Sequence, residues 1–343
     1  MTRAHVIRAF VSAALVVAMS GFGVGVYHAA GYLKAGRPQS QEPSQTTGPV
    51  LPGAILVVQA GAIYRYQHGK FTQITSEAGW MQPAADPTGS RLVAVRRQAN
   101  VSDLFLLQPD GRVGASLTHN SSPTVESNHW AFYPRFSPDG SQIFYDYDPK
   151  DPYNAYRVDL AIFASPADQS SARSIQWTYP IAYTGGDVNP VPLRGGGLIY
   201  TRFSIDDQAN VHSRLWYQAR PGSPGTPLTA PADDCLQPAI SPDERQLAMV
   251  CSHGQPQSAQ LTTASFDRST VSLGSTTELA RGQLAASPSF APDGKTIAFL
   301  APTTPGGGFQ LWTVSAVQST APVPTEISSA LDLDATSAPA WIT

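Results

Sequence analysis

Short apolar segments alternate with turn residues along most of the chain, a pattern typical of short β-strands. The clearest case runs from Tyr133 to Tyr145, where apolar and aromatic residues flank the tetrapeptide Ser-Pro-Asp-Gly. Proline presets φ at the second turn position, aspartate caps the turn locally, and glycine accepts the positive φ that closes it. The segment therefore predicts a tight β-hairpin between two buried strands.

This hairpin pattern recurs along the chain. Clear copies start at Gln237 and Ser287, and weaker copies start at Gln82 and Asn189. Each copy opens with a proline, and a further such proline lies near the end of the chain, giving the set Pro83, Pro134, Pro190, Pro238, Pro288 and Pro339. The intervals between them are 51, 56, 48, 50 and 51 residues. A period of about 50 residues with several short strands per unit predicts a β-propeller.

The unit that opens at Pro83 indicates four strands per blade. Predicted strands at 91–96, 103–108 and 112–117 follow the strand that leads into Asp86. Blades of four antiparallel strands are typical of propellers.

The two ends of the repeat region are incomplete in complementary ways. Residues 55–59, 62–67 and 70–74 supply three strands without an opening strand, and residues 338–343 supply an opening strand alone. Pairing the C-terminal strand with the N-terminal three completes one blade and removes free sheet edges. The sequence thus predicts an all-β, six-bladed β-propeller over residues 53–343.

The N-terminal region differs from the rest of the chain. Residues 9–33 contain no Asp, Glu, Lys or Arg, and a bilayer span needs about 20 apolar residues. We predict a signal anchor, a single transmembrane helix at 9–33, after a cytoplasmic tail at 1–8. A cleaved signal peptide and a buried globular helix are the alternatives. Residues 34–52 are rich in Pro, Gln, Ser and Thr, which predicts a disordered linker.

Composition narrows the class of protein. The 30 prolines and 28 glycines favour many short strands and turns over helices. A net charge of −3 provides no basic surface, so we expect no nucleic-acid partner.

The repeat resembles that of TolB-like six-bladed propellers. The resemblance rests on Pro-x-Phe-Ser-Pro-Asp-Gly-x-x-Ile-x-Phe, present from Pro134 and again from Pro288 with Ala291 in place of serine. It implies an extracytoplasmic scaffold, in the periplasm or at the cell surface, that binds proteins or cell-envelope ligands without catalysis. Three copies depart from the pattern: Asp86-Pro87-Thr88-Gly89, Glu244 in place of glycine, and Leu193-Arg194-Gly195-Gly196. The strand register is therefore less securely predicted in these blades.

The two cysteines lie in one predicted hairpin. A three-residue loop centred on Asp243 pairs Ser241 with Arg245, and this register places Cys235 opposite Cys251. Directly opposed antiparallel residues are close enough for a disulfide, which an oxidising compartment favours. The alternative is two buried thiols.

Motifs of catalysis are missing from the sequence. It contains no Gly-x-Ser-x-Gly, His-Glu-x-x-His or Gly-x-x-x-x-Gly-Lys. Asp146, Asp148 and Asp151 do not fit an EF-hand, because lysine stands at position 5 and arginine at position 12. We expect them in a solvated loop between strands.

A ring of residues just before each opening strand is the predicted ligand-binding site, because these positions cluster around one mouth of a propeller channel. They are Trp80, His129, Trp130, Asp187, Asp233, Asp234 and Asp334. Aromatic side chains beside carboxylates suit a cationic peptide or sugar, or a metal ion held in the channel. The alternative is that the tryptophans pack between blades and the aspartates cap turns.

These observations predict a non-catalytic, membrane-anchored, extracytoplasmic propeller that needs no cofactor and binds a protein or cell-envelope ligand. The alternative is a hydrolase or lyase that uses a divalent cation at the channel mouth.

Overall fold

The computed structural model describes residues 51–151, 154, 157–168, 174–255, 258–280, 284–317 and 322–342. Across these residues, no helix is both long enough and apolar enough to cross a bilayer. The predicted tail at 1–8, the predicted anchor at 9–33 and residues 34–50 of the predicted linker lie outside the described part of the chain.

Six antiparallel sheets make up the fold, one for each blade. Blade 1 combines strands from both ends of the described chain, whereas blades 2 to 6 each use consecutive strands. From the innermost strand outward, blade 1 contains β25 (Ala340–Ile342), β1 (Ala54–Gln59), β2 (Ala62–Gln67) and β3 (Lys70–Gln73). Blade 2 contains β4 (Trp80–Ala85), β5 (Leu92–Arg97), β6 (Ser102–Leu107) and β7 (Val113–Ser116).

The next two blades have the same four-stranded order. Blade 3 contains β8 (Ala131–Phe136), β9 (Gln142–Tyr147), β10 (Ala161–Pro166) and β11 (Ile175–Gln176). Blade 4 contains β12 (Asp187–Pro192), β13 (Leu198–Ile205), β14 (Val211–Gln218) and β15 (Thr226–Pro227).

Blade 5 has one additional short strand. It contains β16 (Cys235–Ile240), β17 (Gln246–Cys251), β18 (Gln260–Asp267) and β19 (Ser272–Leu273), and β20 (Thr277–Glu278) also pairs with β18. Blade 6 contains β21 (Ala286–Phe290), β22 (Thr296–Pro302), β23 (Phe309–Ser315) and β24 (Thr325–Glu326). Single turns of 3₁₀ helix occur at Val125–Ser127 and Pro231–Asp233.

The ring closes through β25, which pairs antiparallel with β1 and places Ala54 opposite Ile342. The predicted six-bladed propeller and its closure by the C-terminal strand are therefore confirmed. Closure also extends the core around the ring, because Ile55 of blade 1 packs in one apolar cluster with Leu311 of blade 6.

The repeated turns adopt the predicted geometry. In blade 3, Ser137 N–H donates to the Gln142 carbonyl, and Gly140 has a φ of 72°. The Asp139 carboxylate accepts hydrogen bonds from the Ser137 hydroxyl and the Ser141 N–H. The departure at Glu244 keeps the same conformation, with a φ of 59°, although its side chain has a Cβ.

A disulfide joins Cys235 and Cys251, which are direct partners in β16 and β17. The loop that leads to this pairing differs from the predicted three-residue loop. Ser241 pairs with Gln246 rather than Arg245, and a bulge between Leu236 and Ala239 then shifts the register by one residue. The bulge thus restores the opposition of the two cysteines.

Candidate functional site

The propeller has two faces with different chain segments. Because the first strand of each blade starts where the preceding blade's outer strand ends, the connections between blades lie on one face, called here the loop face. The loops between the second and third strands of a blade reach the same face, and the repeated Ser-Pro-Asp-Gly turns lie on the opposite one. All seven residues of the predicted ring precede or begin inner strands on the loop-face side.

The structure buries Trp80 in the apolar core between blades 1 and 2, in one cluster with Leu56 and Leu92. Its side chain is only 1% exposed, meets the Phe105 ring edge-on at 5.7 Å, and lies under the Arg96 guanidinium at 5.4 Å. A side chain this deeply buried has no surface left for a ligand, so its role is packing. This outcome corresponds to the alternative interpretation given for the tryptophans.

His129 and Trp130 are partly buried and stacked on neighbours in blade 3. The His129 ring lies parallel to Tyr147 at 5.2 Å, and its Nδ1 is 2.7 Å from the Asp148 carbonyl oxygen. The Trp130 ring stacks on Phe132 at 5.8 Å. Both side chains are held in place by their own blade.

Asp187 forms the shortest ion pair of the predicted ring among the described residues. It is fully buried, and its two carboxylate oxygens accept bonds of 2.6 and 2.7 Å from Arg202. Burial raises the pKa of Asp187 above its usual range, and the Arg202 guanidinium opposes that shift. The guanidinium also donates to the Tyr179 carbonyl at 3.2 Å, so this pair anchors a loop-face segment.

The other three aspartates bond to nearby backbone and side-chain groups. Asp233 accepts from the Ala230 N–H at 3.1 Å, and Asp334 accepts from the Thr336 N–H and the Ser337 hydroxyl. Asp234 accepts from the Ser213 N–H in the neighbouring blade. Turn capping, the alternative interpretation, accounts for the contacts of Asp233 and Asp334, whereas Asp234 links two blades.

Asp146 and Asp148 contradict the expected solvated loop. Both side chains are 0% exposed, and Asp146 lies within β9. Burial raises the pKa of Asp146 well above its usual range, and the nearby Asp187 adds to this increase. Asp148 pairs with Lys150 at 2.8 Å. The alternation of polar and apolar residues in Phe-Tyr-Asp-Tyr-Asp could have placed these aspartates on a strand, but it gave no sign that they are buried.

The structure reveals a histidine site that the sequence did not indicate. The two His212 ring nitrogens lie 3.0 Å from Asp234 and 3.2 Å from Asp206. Hydrogen bonds to these carboxylates raise the pKa of His212, and bonds from Asn210 lower that of Asp206 to about 2. Asp206 and His212 flank one hairpin loop, so their spacing could have suggested proximity. Asp234 belongs to the next blade, which no local pattern predicts.

Metal-binding geometry is not found among these groups. Within the part of the chain that the structure describes, no three or more His, Cys, Asp or Glu side chains converge as ligands. The ring carboxylates instead accept hydrogen bonds from their own chain.

The loop face also displays an apolar segment that sequence analysis missed. Tyr179, Ile181 and Tyr183 in the connection from β11 to β12 are 65%, 49% and 45% exposed. We call residues 179–183 the 179–183 loop. Both of its ends are anchored, at Tyr179 by Arg202 and at Tyr183 by the Asp159 carboxylate, which accepts the Tyr183 N–H at 2.8 Å.

Asp159 fixes the second anchor further. Its other carboxylate oxygen accepts the N–H groups of Thr184 and Gly185 at 3.0 and 2.9 Å. Gly186, the next residue, lies so close to Leu160 that an added Cβ would be 2.1 Å from the Leu160 carbonyl oxygen. These contacts hold the 179–183 loop in one conformation while its large side chains face solvent.

Comparison with solved structures identifies the same fold in other proteins. TolB from Acinetobacter baumannii is 17% identical, with a TM-score of 0.60 over 84% of this chain and 66% of its own. A putative TolB from Agrobacterium tumefaciens is 12% identical, with a TM-score of 0.58 over 84% and 94%. A gluconolactonase from Xanthomonas campestris is 15% identical, with a TM-score of 0.51 over 84% and 90%.

The protein therefore has a TolB-like six-bladed propeller fold. Identities this low establish the fold alone, and the neighbours include an enzyme as well as TolB proteins. The chain spans slightly less than two thirds of the Acinetobacter protein. No protein-family model matches the sequence, and neither does any curated protein.

Proposed function

We propose that this chain is a non-catalytic extracytoplasmic scaffold, anchored to the membrane through residues 9–33, whose loop face binds another protein of the cell envelope. The observation that carries this proposal is the anchored and solvent-facing 179–183 loop. Exposed apolar clusters on soluble surfaces commonly mark interaction sites, and tyrosine is enriched in their centres.

The anchoring of the loop adds to its suitability for binding. A surface that is already ordered loses less conformational entropy when a partner binds. Arg202 and Asp159 hold the loop through charged hydrogen bonds, which are stronger than neutral ones. The Arg157 guanidinium lies 5.1 Å above the Tyr183 ring and limits the motion of that side chain.

The hydrolase or lyase alternative would need converging carboxylates that can hold a divalent cation. The aspartates of the predicted ring point to turn capping or ion pairing instead. Among the residues that the structure describes, no group of three or more His, Cys, Asp or Glu side chains could hold such a cation.

Site-specific photocrosslinking in the native envelope tests the proposal. A photoreactive phenylalanine analogue at Ile181 of the full chain should give one dominant protein adduct. The matched control places the same analogue at Val323, which is 79% exposed on blade 6, and we expect no such adduct there. Equal adduct patterns from both positions, or no adduct from Ile181, would contradict a binding role for this loop.

A further inference from the structure

The central channel contains an arginine, Arg135, that forms no ion pair with any carboxylate among the described residues. Its narrow cavity, about 20 Å³ in volume, is lined by the inner strands of blades 3 to 6 and by residues just before β25. The lining residues are mostly small or polar, namely Tyr133, Arg135, Asn189, Pro190, Gln237, Pro238, Ser287, Pro288, Thr336 and Ala338. None of them is Asp or Glu, so Arg135 gives the cavity a net positive charge.

Arg135 differs from the residues at the equivalent position in the other repeats. The residue that follows the opening proline is small or aliphatic in the other five blades: Ala84, Val191, Ala239, Ser289 and Ala340. The propeller frame therefore does not require an arginine at this position. Among the described residues, no carboxylate lies within 4.0 Å of Arg135, and no hydrogen bond of its guanidinium is found.

A second donor in the same cavity also lacks an acceptor. The Gln237 Nε2 atom is buried and has no hydrogen-bond partner within the described part of the chain. One hydrogen bond fixes the orientation of the Gln237 side-chain amide, because its Oε1 accepts the Ser287 N–H at 2.8 Å. If the amide were flipped, an NH₂ group would face this N–H, and an NH₂ group cannot accept a hydrogen bond. An unpaired buried donor costs about 1–3 kcal/mol, so an acceptor in the cavity would satisfy an otherwise unfavourable arrangement.

We propose that the channel binds one small monovalent anion, of the size of chloride, between the Arg135 guanidinium and the Gln237 amide NH₂. The cavity volume fits one such ion, since a single water-sized group needs about 10–15 Å³ of comparable space. Arg135 is partly exposed, which gives the ion access from solvent. Burial lowers the pKa of Arg135, but an arginine remains charged at neutral pH.

Melting the full chain in matched sodium salts tests this site. Chloride should raise the Tm above its value in gluconate, an anion too large for the cavity, at an equal ionic strength of about 0.15 M. With chloride well above its Kd, we expect a difference of roughly 2–4 °C. Acetate tests whether a carboxylate group can replace the halide. Equal melting in chloride, acetate and gluconate would overturn the proposal, because the channel would then hold water only.

Two channel variants test whether the increase in Tm in chloride arises from an ion in the channel. Arg135→Met should abolish the chloride increment, whereas Arg112→Met, which alters an arginine in an exposed turn, should retain it. Gln237→Glu keeps the acceptor for Ser287 and introduces a carboxylate beside Arg135, so the increment should vanish without loss of folding. A chloride increment that survives both channel variants would place the ion elsewhere.

Bromide diffraction gives an independent result that does not depend on any variant. A crystal of the wild-type protein grown in bromide should show an anomalous peak between Arg135 and Gln237. An anomalous map without density in the channel would contradict the assignment, even if the melting data showed a halide effect.

Discussion

Five residues at the channel adopt a backbone conformation that side chains with a Cβ disfavour. Each precedes the opening proline of a blade and has a φ between 49° and 58°: Gln82, Tyr133, Asn189, Gln237 and Ser287. The left-handed conformation costs about 1–2 kcal/mol per residue. Hydrogen bonds between blades offset this cost, as when Tyr133 N–H donates to Gln82 Oε1 at 2.8 Å. The left-handed conformation thus directs the backbone N–H of these residues toward the neighbouring blade.

Asp146 provides a test of burial at the scale of one residue. Its pKa is raised well above the unfolded value of 3.8, so the folded protein binds this proton more tightly than the unfolded chain does. Stability should therefore fall as the pH rises from about 4 through the folded pKa, by at most about 1.4 kcal/mol per pH unit. We expect Asp146→Asn to remove this decrease and to be more stable than wild type at neutral pH, as measured by urea unfolding.

Asp139 supplies the opposite control. Hydrogen bonds from Ser137 and Ser141 lower its pKa. The ionised carboxylate therefore contributes to the free energy of unfolding at neutral pH, and this contribution is lost as the pH falls. Wild type should be more stable than Asp139→Asn at neutral pH, and this difference should shrink toward low pH. Its sign is opposite to that of the Asp146 pair, in which the Asn variant is the more stable protein at neutral pH. If the free energies of unfolding of wild type and Asp146→Asn changed with pH in the same way, the buried Asp146 carboxyl group would not determine the pH dependence of stability.

At the scale of the element, one ion pair links β12 to β13 and also anchors the 179–183 loop. Arg202→Leu leaves the Asp187 carboxylate buried without its partner, and such a change costs about 3–5 kcal/mol. Replacing both residues with leucine should recover much of that loss, because no charge is then buried. Denaturant midpoints for the two single variants and the double variant measure the coupling.

Arg214→Leu is the matched control for this pair. Arg214 lies over the same Trp216 ring as Arg202, at 5.8 Å against 4.9 Å, and donates to the Thr229 carbonyl. It forms no ion pair with the described carboxylates, so we expect a loss near 1 kcal/mol. A double Leu variant as unstable as Arg202→Leu alone would refute the role of uncompensated charge.

The hairpins show how far a sequence pattern determines an element. Ser-Pro-Asp-Gly predicts the turn at Ser137 because its φ requirements are local. The bulge before Ala239 recurs at the same place in blades 2, 3, 4 and 6, and in blade 5 the Gln237 N–H within it donates to the Thr201 hydroxyl of the preceding blade. The predicted register at Ser241 is one residue out because this loop closes on Gln246, as the loop at Ser137 closes on Gln142. The bulge then brings Cys235 opposite Cys251.

At the scale of the whole molecule, periodicity determined the architecture but not the site. The spacing of the opening prolines predicts six blades because each copy repeats the same local hairpin. Contacts that the repeat does not predict instead arise where blades differ, as at Arg135, or where neighbouring blades meet, as at His212 and Asp234. The predicted ring lies on the loop face, and the 179–183 loop with its exposed Tyr179, Ile181 and Tyr183 lies on the same face but outside the repeat.

Ring closure is the feature of the whole fold that a truncation tests most directly. Removing residues 340–343 deletes β25, the partner of β1, and takes the buried Ile342 out of the core beside Leu56. Fully burying one such side chain contributes about 1.5–3 kcal/mol, and the exposed edge of β1 invites association. We expect a lower urea midpoint and earlier elution in size-exclusion chromatography.

Trp341→Ala separates strand pairing from side-chain packing in this closure. It keeps the backbone bonds of β25 but removes the indole, whose Nε1 donates to the Ser289 carbonyl of blade 6 at 3.3 Å. The variant should be less stable than wild type, yet remain monomeric and more stable than the truncated chain. If the truncated chain matched wild type in both midpoint and elution, β25 would add nothing to closure, and contacts between the remaining strands would suffice to hold the ring.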